Sequence, residues 1–145
     1  MSFDAISRRY EYTVYQTKDP FLDDRGYYYP FLLNFKTLSE TSSLICKHKD
    51  FRSFSKKNTQ VHTHECTISE SEWKFEENIL RYHVTGNRFL RGMVRGLVGT
   101  MLLAGRGKYS TADFTRILEM KDASKTDFSA PAKGLILKEV KYPAL

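Results

Sequence analysis

With 145 residues, 41% of them hydrophobic, the chain can bury one core of its own, yet it has no apolar run near the roughly 20 residues that cross a bilayer. Residues 1–10 carry charges where a signal peptide would be apolar, and two cysteines, Cys46 and Cys66, are too few for a disulfide framework, so free thiols in a reducing, cytoplasmic setting are expected. A net charge of +6, from 23 Lys+Arg against 17 Asp+Glu, points to a polyanionic partner if the positive charge is clustered.

The first predicted element is a strand in which Tyr10, Tyr12 and Val14 alternate with Glu11, Thr13 and Tyr15. It arrives without preceding structure, as if the chain entered midway through a longer protein. Asp19-Pro20 and Asp23-Asp24-Arg25-Gly26 then mark a loop, followed by the aromatic run Tyr27-Tyr28-Tyr29-Pro30. Ser39 is the expected N-cap of a short helix reaching Lys47, with Leu44 and Ile45 facing inward. Three strands are predicted next, over Val61 to Ser69, around Trp73 and Phe75, and from Leu80 to Val84, with Glu77-Asn78 turning between the last two.

From Phe89 the period changes. Phe89, Leu90, Met93, Val94, Leu97, Val98, Met101 and Leu102 recur as one face of a strongly amphipathic helix, which Gly105 and Gly107 end. Ser110 and Asp113 read as a capping box opening a second helix with Phe114, Ile117 and Leu118 inside, and Leu135, Leu137, Val140 and Tyr142 belong to a closing strand. This order predicts an α+β fold, a largely antiparallel sheet with helices packed on one face.

Charge is segregated along these elements. Gly86 to Lys108 holds Arg88, Arg91, Arg95, Arg106 and Lys108 with no acid (+5), and Lys47 to Lys57 holds Lys47, Lys49, Arg52, Lys56 and Lys57 against Asp50 (+4). Between them Glu65, Glu70, Glu72, Glu76 and Glu77 against Lys74 make a segment of −4. Clustered cations suit a phosphate backbone, because each neutralised phosphate releases counterions. At 100° per residue Arg88, Arg91 and Arg95 share one stripe of the predicted helix, with Gly92, Gly96 and Gly99 beside it. Each interior glycine costs about 1 kcal/mol relative to alanine, so something must approach that helix closely, either another backbone or a substrate.

The stretch Gly86 to Lys108, GNRFLRGMVRGLVGTMLLAGRGK, resembles the signature of the tRNA pseudouridine synthase A family, in which Asn and Phe-Leu precede Met-Val-Arg and a Gly-x-Gly-Lys ending. Three more segments resemble that family in the same order: Arg8-Arg9-Tyr10-Glu11-Tyr12, Asp50-Phe51-Arg52-Ser53-Phe54, and Ala130-Pro131-Ala132-Lys133-Gly134-Leu135 continuing to Tyr142. The resemblance covers nearly the whole chain. It implies a fold of two similar halves whose sheets join across a basic cleft, with residues 1–145 as the carboxy-terminal half. The amino-terminal half would carry the catalytic aspartate in a Gly-Arg-Thr-Asp motif, which this sequence lacks.

By the same resemblance Tyr10 is the tyrosine expected to stack on the target uracil, and Arg95 the arginine expected to pair with the catalytic aspartate. Arg8, Arg9, Lys56, Lys57, Arg88, Arg91, Arg106 and Lys108 are candidate phosphate contacts. The implied activity is conversion of uridine to pseudouridine in the tRNA anticodon stem-loop by a homodimer that needs neither metal nor organic cofactor. Ala123 departs from the arginine that usually follows Lys-Asp, which puts one contact near the final loop in question. Two rival readings are a zinc site from His62, His64 and Cys66, whose spacing of about 7 Å along a strand is wide for a tetrahedral ion, and an RNA-binding module that never had a catalytic half.

Overall fold

The computed structural model describes residues 5–56 and 63–144. Alternating side chains build the sheet around strand β1 (Ser7–Tyr15). On one side β1 pairs antiparallel with β4 (Ile79–Gly86), which pairs in turn with β3 (Ile68–Glu76). The other edge of β1 is shared: β5 (Leu135–Lys141) runs antiparallel along Ser7 to Tyr12, and the short β2 (Tyr27–Tyr28) lies parallel to Val14 and Tyr15. The sheet is therefore antiparallel apart from β2, as expected. The turn between β3 and β4 is Glu77-Asn78, with Glu77 in the left-handed region at φ 42°.

The strand predicted over Val61 to Ser69 is not one element. Residues 57–62 lie outside the described residues, 63–67 pair only through an isolated bridge between Asp50 and Glu65, and β3 starts at Ile68 and absorbs the Trp73 segment. Alternation through 61–69 matches a strand locally, but the pairing partner, β4, begins its contact at Ile68.

One sheet face buries Tyr12, Val14, Leu80, Tyr82, Val84 and Trp73 beneath three helices, α1 (Phe35–Ile45), α2 (Met93–Gly105) and α3 (Thr111–Met120). Helix α1 starts four residues before the expected cap: the Asn34 side chain accepts from Thr37 N at 3.1 Å, while Ser39 sits inside the helix. Asn34 also donates its own backbone N–H to Gly105 O at 2.8 Å, a tertiary tie that helical periodicity does not reveal. Helix α3 opens on the predicted capping box, with Ser110 and Asp113 bonded reciprocally, and buries Phe114, Ile117 and Leu118.

Helix α2 differs most from expectation. It is buried almost all round rather than amphipathic, with Arg95 and Leu103 its only partly exposed residues. A helix apolar on every side belongs in a core, and here the sheet, α1, α3 and the segment 122–131 enclose it. It also begins four residues later than its apolar period, at Met93, because Gly92 takes a left-handed φ of 73° and residues 88–92 form an irregular turn.

The opposite sheet face carries no helix among the described residues and is laced by charge. Arg9 bonds Glu70 at 3.2 Å, and Glu11 takes both Arg81 at 3.2 Å and Lys138 at 3.4 Å. His83, 8% exposed, accepts from Arg9 Nη2 at its Nδ1 (3.1 Å), which requires a ring without a proton on that nitrogen. Burial, helped by Arg9 and Lys74, holds the imidazole below its ordinary pKa against the pull of Glu11 and Glu70. Between that depressed value and about 6.5 the unfolded chain binds more protons, so His83 removes stability as pH falls through this window. The melting temperature is expected to drop between pH 7.5 and 5.5, and His83→Gln to flatten that segment of the profile; an unchanged slope in the variant would refute the assignment.

Candidate active-site and RNA-binding surface

Arg95 is the hub of the site. Its half-buried guanidinium donates from Nε to Ala130 O at 2.6 Å and from Nη2 to Phe128 O at 3.4 Å. It is therefore not a free arginine on a polar stripe, and truncating it would release two carbonyls as well as remove a charge. Nη1 has no hydrogen-bond partner among the described residues. The Tyr12 hydroxyl lies within its electrostatic reach: burial raises that phenol's pKa, Tyr27 adds to the rise, and Arg95 opposes it.

The segment 122–131 beneath Arg95 lies in close contact with α2. A Cβ on Gly99 would stand 2.3 Å from Asp127 O, and one on Gly96 would stand 2.8 Å from the Phe128 ring. The close approach that the glycines imply is thus made by this chain's own backbone and Phe128 ring. Ala123, the position that departs from the family pattern, opens a 3₁₀ turn, Ala123–Lys125, capped by the Asp122 side chain on Ser124 N at 2.7 Å.

Tyr10 stands on the helix-covered face of β1, opposite Val84 in β4 and Leu137 in β5. It is only partly buried, and its ring meets Phe89 edge-on, with centroids 5.0 Å apart and planes at 89°. In the sequence Phe89 stood as an apolar helix position and as part of the Phe-Leu motif; in the structure its ring packs edge-on against Tyr10.

The basic residues divide into separate groups. Arg88 and Arg91 precede α2 and do not continue the stripe of Arg95. Arg88 is spent on the chain itself, donating from Nη1 to Thr63 O at 2.9 Å and Glu65 O at 3.3 Å. Arg91 is exposed and its guanidinium makes no hydrogen bond or ion pair among the described residues, while its carbonyl accepts from Lys56 N at 3.1 Å. The Lys56 stem lies over Gly92, 2.8 Å from where a Cβ would be, which places its ammonium beside the start of α2. Lys57 lies outside the described residues.

Arg8 sits at the start of β1 on the same face as Tyr10, opposite Gly86 at the end of β4, seven residues before α2 begins. Arg9 faces the other way and is committed to Glu70 and His83. Arg106 and Lys108 lie past the far end of α2, about 20 Å from its start at 1.5 Å per residue. There Arg106 caps an aromatic cluster, 3.8 Å above Phe31 and bonded to the Tyr29 hydroxyl at 3.3 Å, while Lys108 is exposed. The +5 stretch is therefore not one patch: Arg88 and Arg91 lie before the start of α2, with Lys56 over Gly92, and Arg106 and Lys108 lie past its far end.

The zinc reading finds no support here. His62 lies outside the described residues, Cys66 is buried against Met93 at 4.0 Å, and His64 Nδ1 faces Arg52 Nε at 3.4 Å. Among the described residues no group of three or more His, Cys, Asp or Glu could hold a metal ion, and no helix is long and apolar enough to cross a membrane.

Residues 47–143 match the family model described as tRNA pseudouridine synthase. The chain is 41% identical over 144 residues to the tRNA pseudouridine synthase A of Porphyromonas gingivalis, an alignment covering 98% of this chain and 57% of that protein. It is 40% identical over 141 residues to that of Parabacteroides distasonis (97% and 56%) and 37% identical over 142 residues to that of Bacillus subtilis (97% and 58%). The chain thus spans little more than half the length of the curated relatives it matches.

Proposed function

The chain belongs to the tRNA pseudouridine synthase family, and from that premise we propose that the protein it forms part of converts uridine to pseudouridine in the anticodon stem-loop of tRNA. Residues 1–145 are the carboxy-terminal domain, which lines the active site and holds RNA, while an amino-terminal half supplies the catalytic aspartate. The observation that carries this reading is the site itself: an oriented, half-buried Arg95 in the matched segment, on the same side of the sheet as the half-exposed Tyr10 ring.

In the reaction the glycosidic bond to N1 breaks and the uracil reattaches through C5, so the base must be held out of the RNA stack while it turns. Tyr10, stiffened by Phe89, offers an aromatic face to an extruded base, a contact that tolerates rotation because every orientation of the ring presents a π-face. Arg95 offers the outer edge of its guanidinium to the incoming carboxylate and keeps it ionised and aimed. Arg8, Lys56 and Arg91 supply positive charge around the cleft for phosphates, in keeping with the way structured RNA is held by shape and backbone. The enzyme acts as a cytoplasmic homodimer without metal or organic cofactor.

Incubating the full-length protein with tRNA and locating pseudouridine by nucleoside mass spectrometry and chemical mapping tests this. Isomerised uridine is expected in the anticodon stem-loop with the full-length protein and none with residues 1–145 alone. No pseudouridine from the full-length protein, with tRNA still bound, would establish a non-catalytic RNA-binding module instead.

Residues 1–145 are expected to bind tRNA weakly, with affinity that falls steeply as salt rises. Because the Arg91 guanidinium is exposed and without a partner among the described residues, Arg91→Ala should weaken binding to different tRNAs alike and reduce the slope of log K against log salt by about one unit. An unchanged slope in filter-binding titrations would remove Arg91 from the phosphate contacts.

A further inference from the structure

Segment 122–131 is tied down by side chains from four other parts of the chain. Thr100, fully buried in α2, accepts from Asp127 N at 3.0 Å. Ser53, fully buried in the 3₁₀ turn Arg52–Phe54, accepts from Asp122 N through its Oγ at 3.3 Å and from Thr126 Oγ1 through its carbonyl at 2.5 Å. Tyr12 donates its hydroxyl to Pro131 O at 2.6 Å, and Tyr109 donates to Lys125 O at 3.2 Å. Arg95 then rests on the Phe128 and Ala130 carbonyls of the same segment.

A chain that only needed to cover α2 could do so with apolar contacts. Here two polar side chains with no solvent exposure, Ser53 and Thr100, hold the stretch just before the carbonyls of Phe128 and Ala130 that receive Arg95 Nη2 and Nε, and Tyr12 holds Pro131 just after them. With those nitrogens occupied, the guanidinium plane is set and its Nη1 edge is left to face outward. We propose that Thr100 and Ser53 are positioning residues for catalysis, acting through segment 122–131 to aim the Arg95 guanidinium; this rests on the proposed pairing of Arg95 with the catalytic carboxylate. Thr126 completes the device by carrying the bond to Ser53, and its Cγ2 fills the space over Gly96, 3.1 Å from where a Cβ would stand.

The test uses the full-length enzyme and two near-isosteric changes, Thr100→Val and Thr126→Val, with Thr100→Ser and Thr126→Ser as restorations of the hydroxyl. A displacement of about 1 Å in a reacting group can slow a reaction roughly 100-fold, so single-turnover rates at saturating tRNA should fall about 10- to 100-fold in the valine variants. The tRNA dissociation constants should stay within about twofold of wild type, because no phosphate contact is touched, and the serine variants should recover most of the rate. Hydrogen exchange over residues 122–131, measured by mass spectrometry, should quicken in the valine variants and return in the serine ones.

Thr126 is partly exposed, so its valine variant still reports if Thr100→Val fails to fold. Wild-type turnover in a folded Thr126→Val enzyme with quickened exchange would overturn the positioning role while leaving the family reaction intact. A wild-type protein without activity on tRNA would overturn the underlying reading and this inference with it.

Discussion

Arg95→Ala in the full-length enzyme is expected to slow pseudouridine formation at saturating tRNA by roughly two to four orders of magnitude, since breaking a partly desolvated ion pair costs about 3 to 5 kcal/mol and each 1.36 kcal/mol is a factor of ten. The structure adds a second effect. The same substitution strips the Phe128 and Ala130 carbonyls of their charged donor, and hydrogen bonds to charged groups contribute about 1.5 to 3 kcal/mol each, so stability should also fall measurably. Arg95→Lys separates the two: it keeps a charge and can reach one carbonyl, but lacks the planar fork that meets both, so stability should recover further than rate. Denaturant titration beside single-turnover kinetics checks this. A normal rate at saturating tRNA for Arg95→Ala together with a slow rate for Arg91→Ala would invert the division of labour between them.

Gly99→Ala is expected to be the most damaging single methyl in the chain. The new Cβ would sit 2.3 Å from Asp127 O, and that carbonyl cannot swing away because its peptide neighbours are held by Thr100 and Arg95. Overpacking costs about 1 to 3 kcal/mol even where side chains give way, so a backbone collision should sit at or beyond the upper end, against a total stability of roughly 5 to 15 kcal/mol. The gain of about 1 kcal/mol in helix propensity offsets only part of it. Gly96→Ala makes the internal comparison: its Cβ would meet the Phe128 ring at 2.8 Å, a side chain that can rotate, so the loss should be smaller. Equal or reversed losses in urea denaturation would contradict the mechanism.

Several elements were legible because their signals are local. The capping box at Ser110 and Asp113, the turn at Glu77-Asn78 and the alternation of Tyr10, Tyr12 and Val14 each depend on residues a few positions apart, and each stands as expected. The site residues were legible only in part. All four lie in segments that resemble the family, but the resemblance attaches expected roles only to Arg95 and Tyr10; Ser53 and Thr100 read as a turn serine and a polar residue in an apolar helix. Buried polarity at Thr100 was a signal available in the sequence, since a hydroxyl amid Leu97, Val98, Met101 and Leu102 needs a partner, but nothing nearby names Asp127 N as that partner.

The sequence by itself determined that this is an α+β chain with a mostly antiparallel sheet and that the glycines of α2 make room for a close neighbour; that α2 is enclosed on nearly every side, rather than amphipathic, only the tertiary structure decided. Tertiary structure alone decided which neighbour. The period of 3.6 runs unbroken from Phe89, yet the helix starts at Met93 because Gly92 turns left-handed where Lys56 lies over it and Arg88 is drawn to the carbonyls of Thr63 and Glu65. That turn removes Arg88 and Arg91 from the stripe of Arg95, and the length of α2 carries Arg106 and Lys108 to the opposite end. Periodicity tells which side of a helix is apolar; it holds no information on where a distant segment docks, and contacts such as Arg95 to Ala130, 35 positions apart in sequence, exist only once the sheet has brought β1, β5 and α2 together.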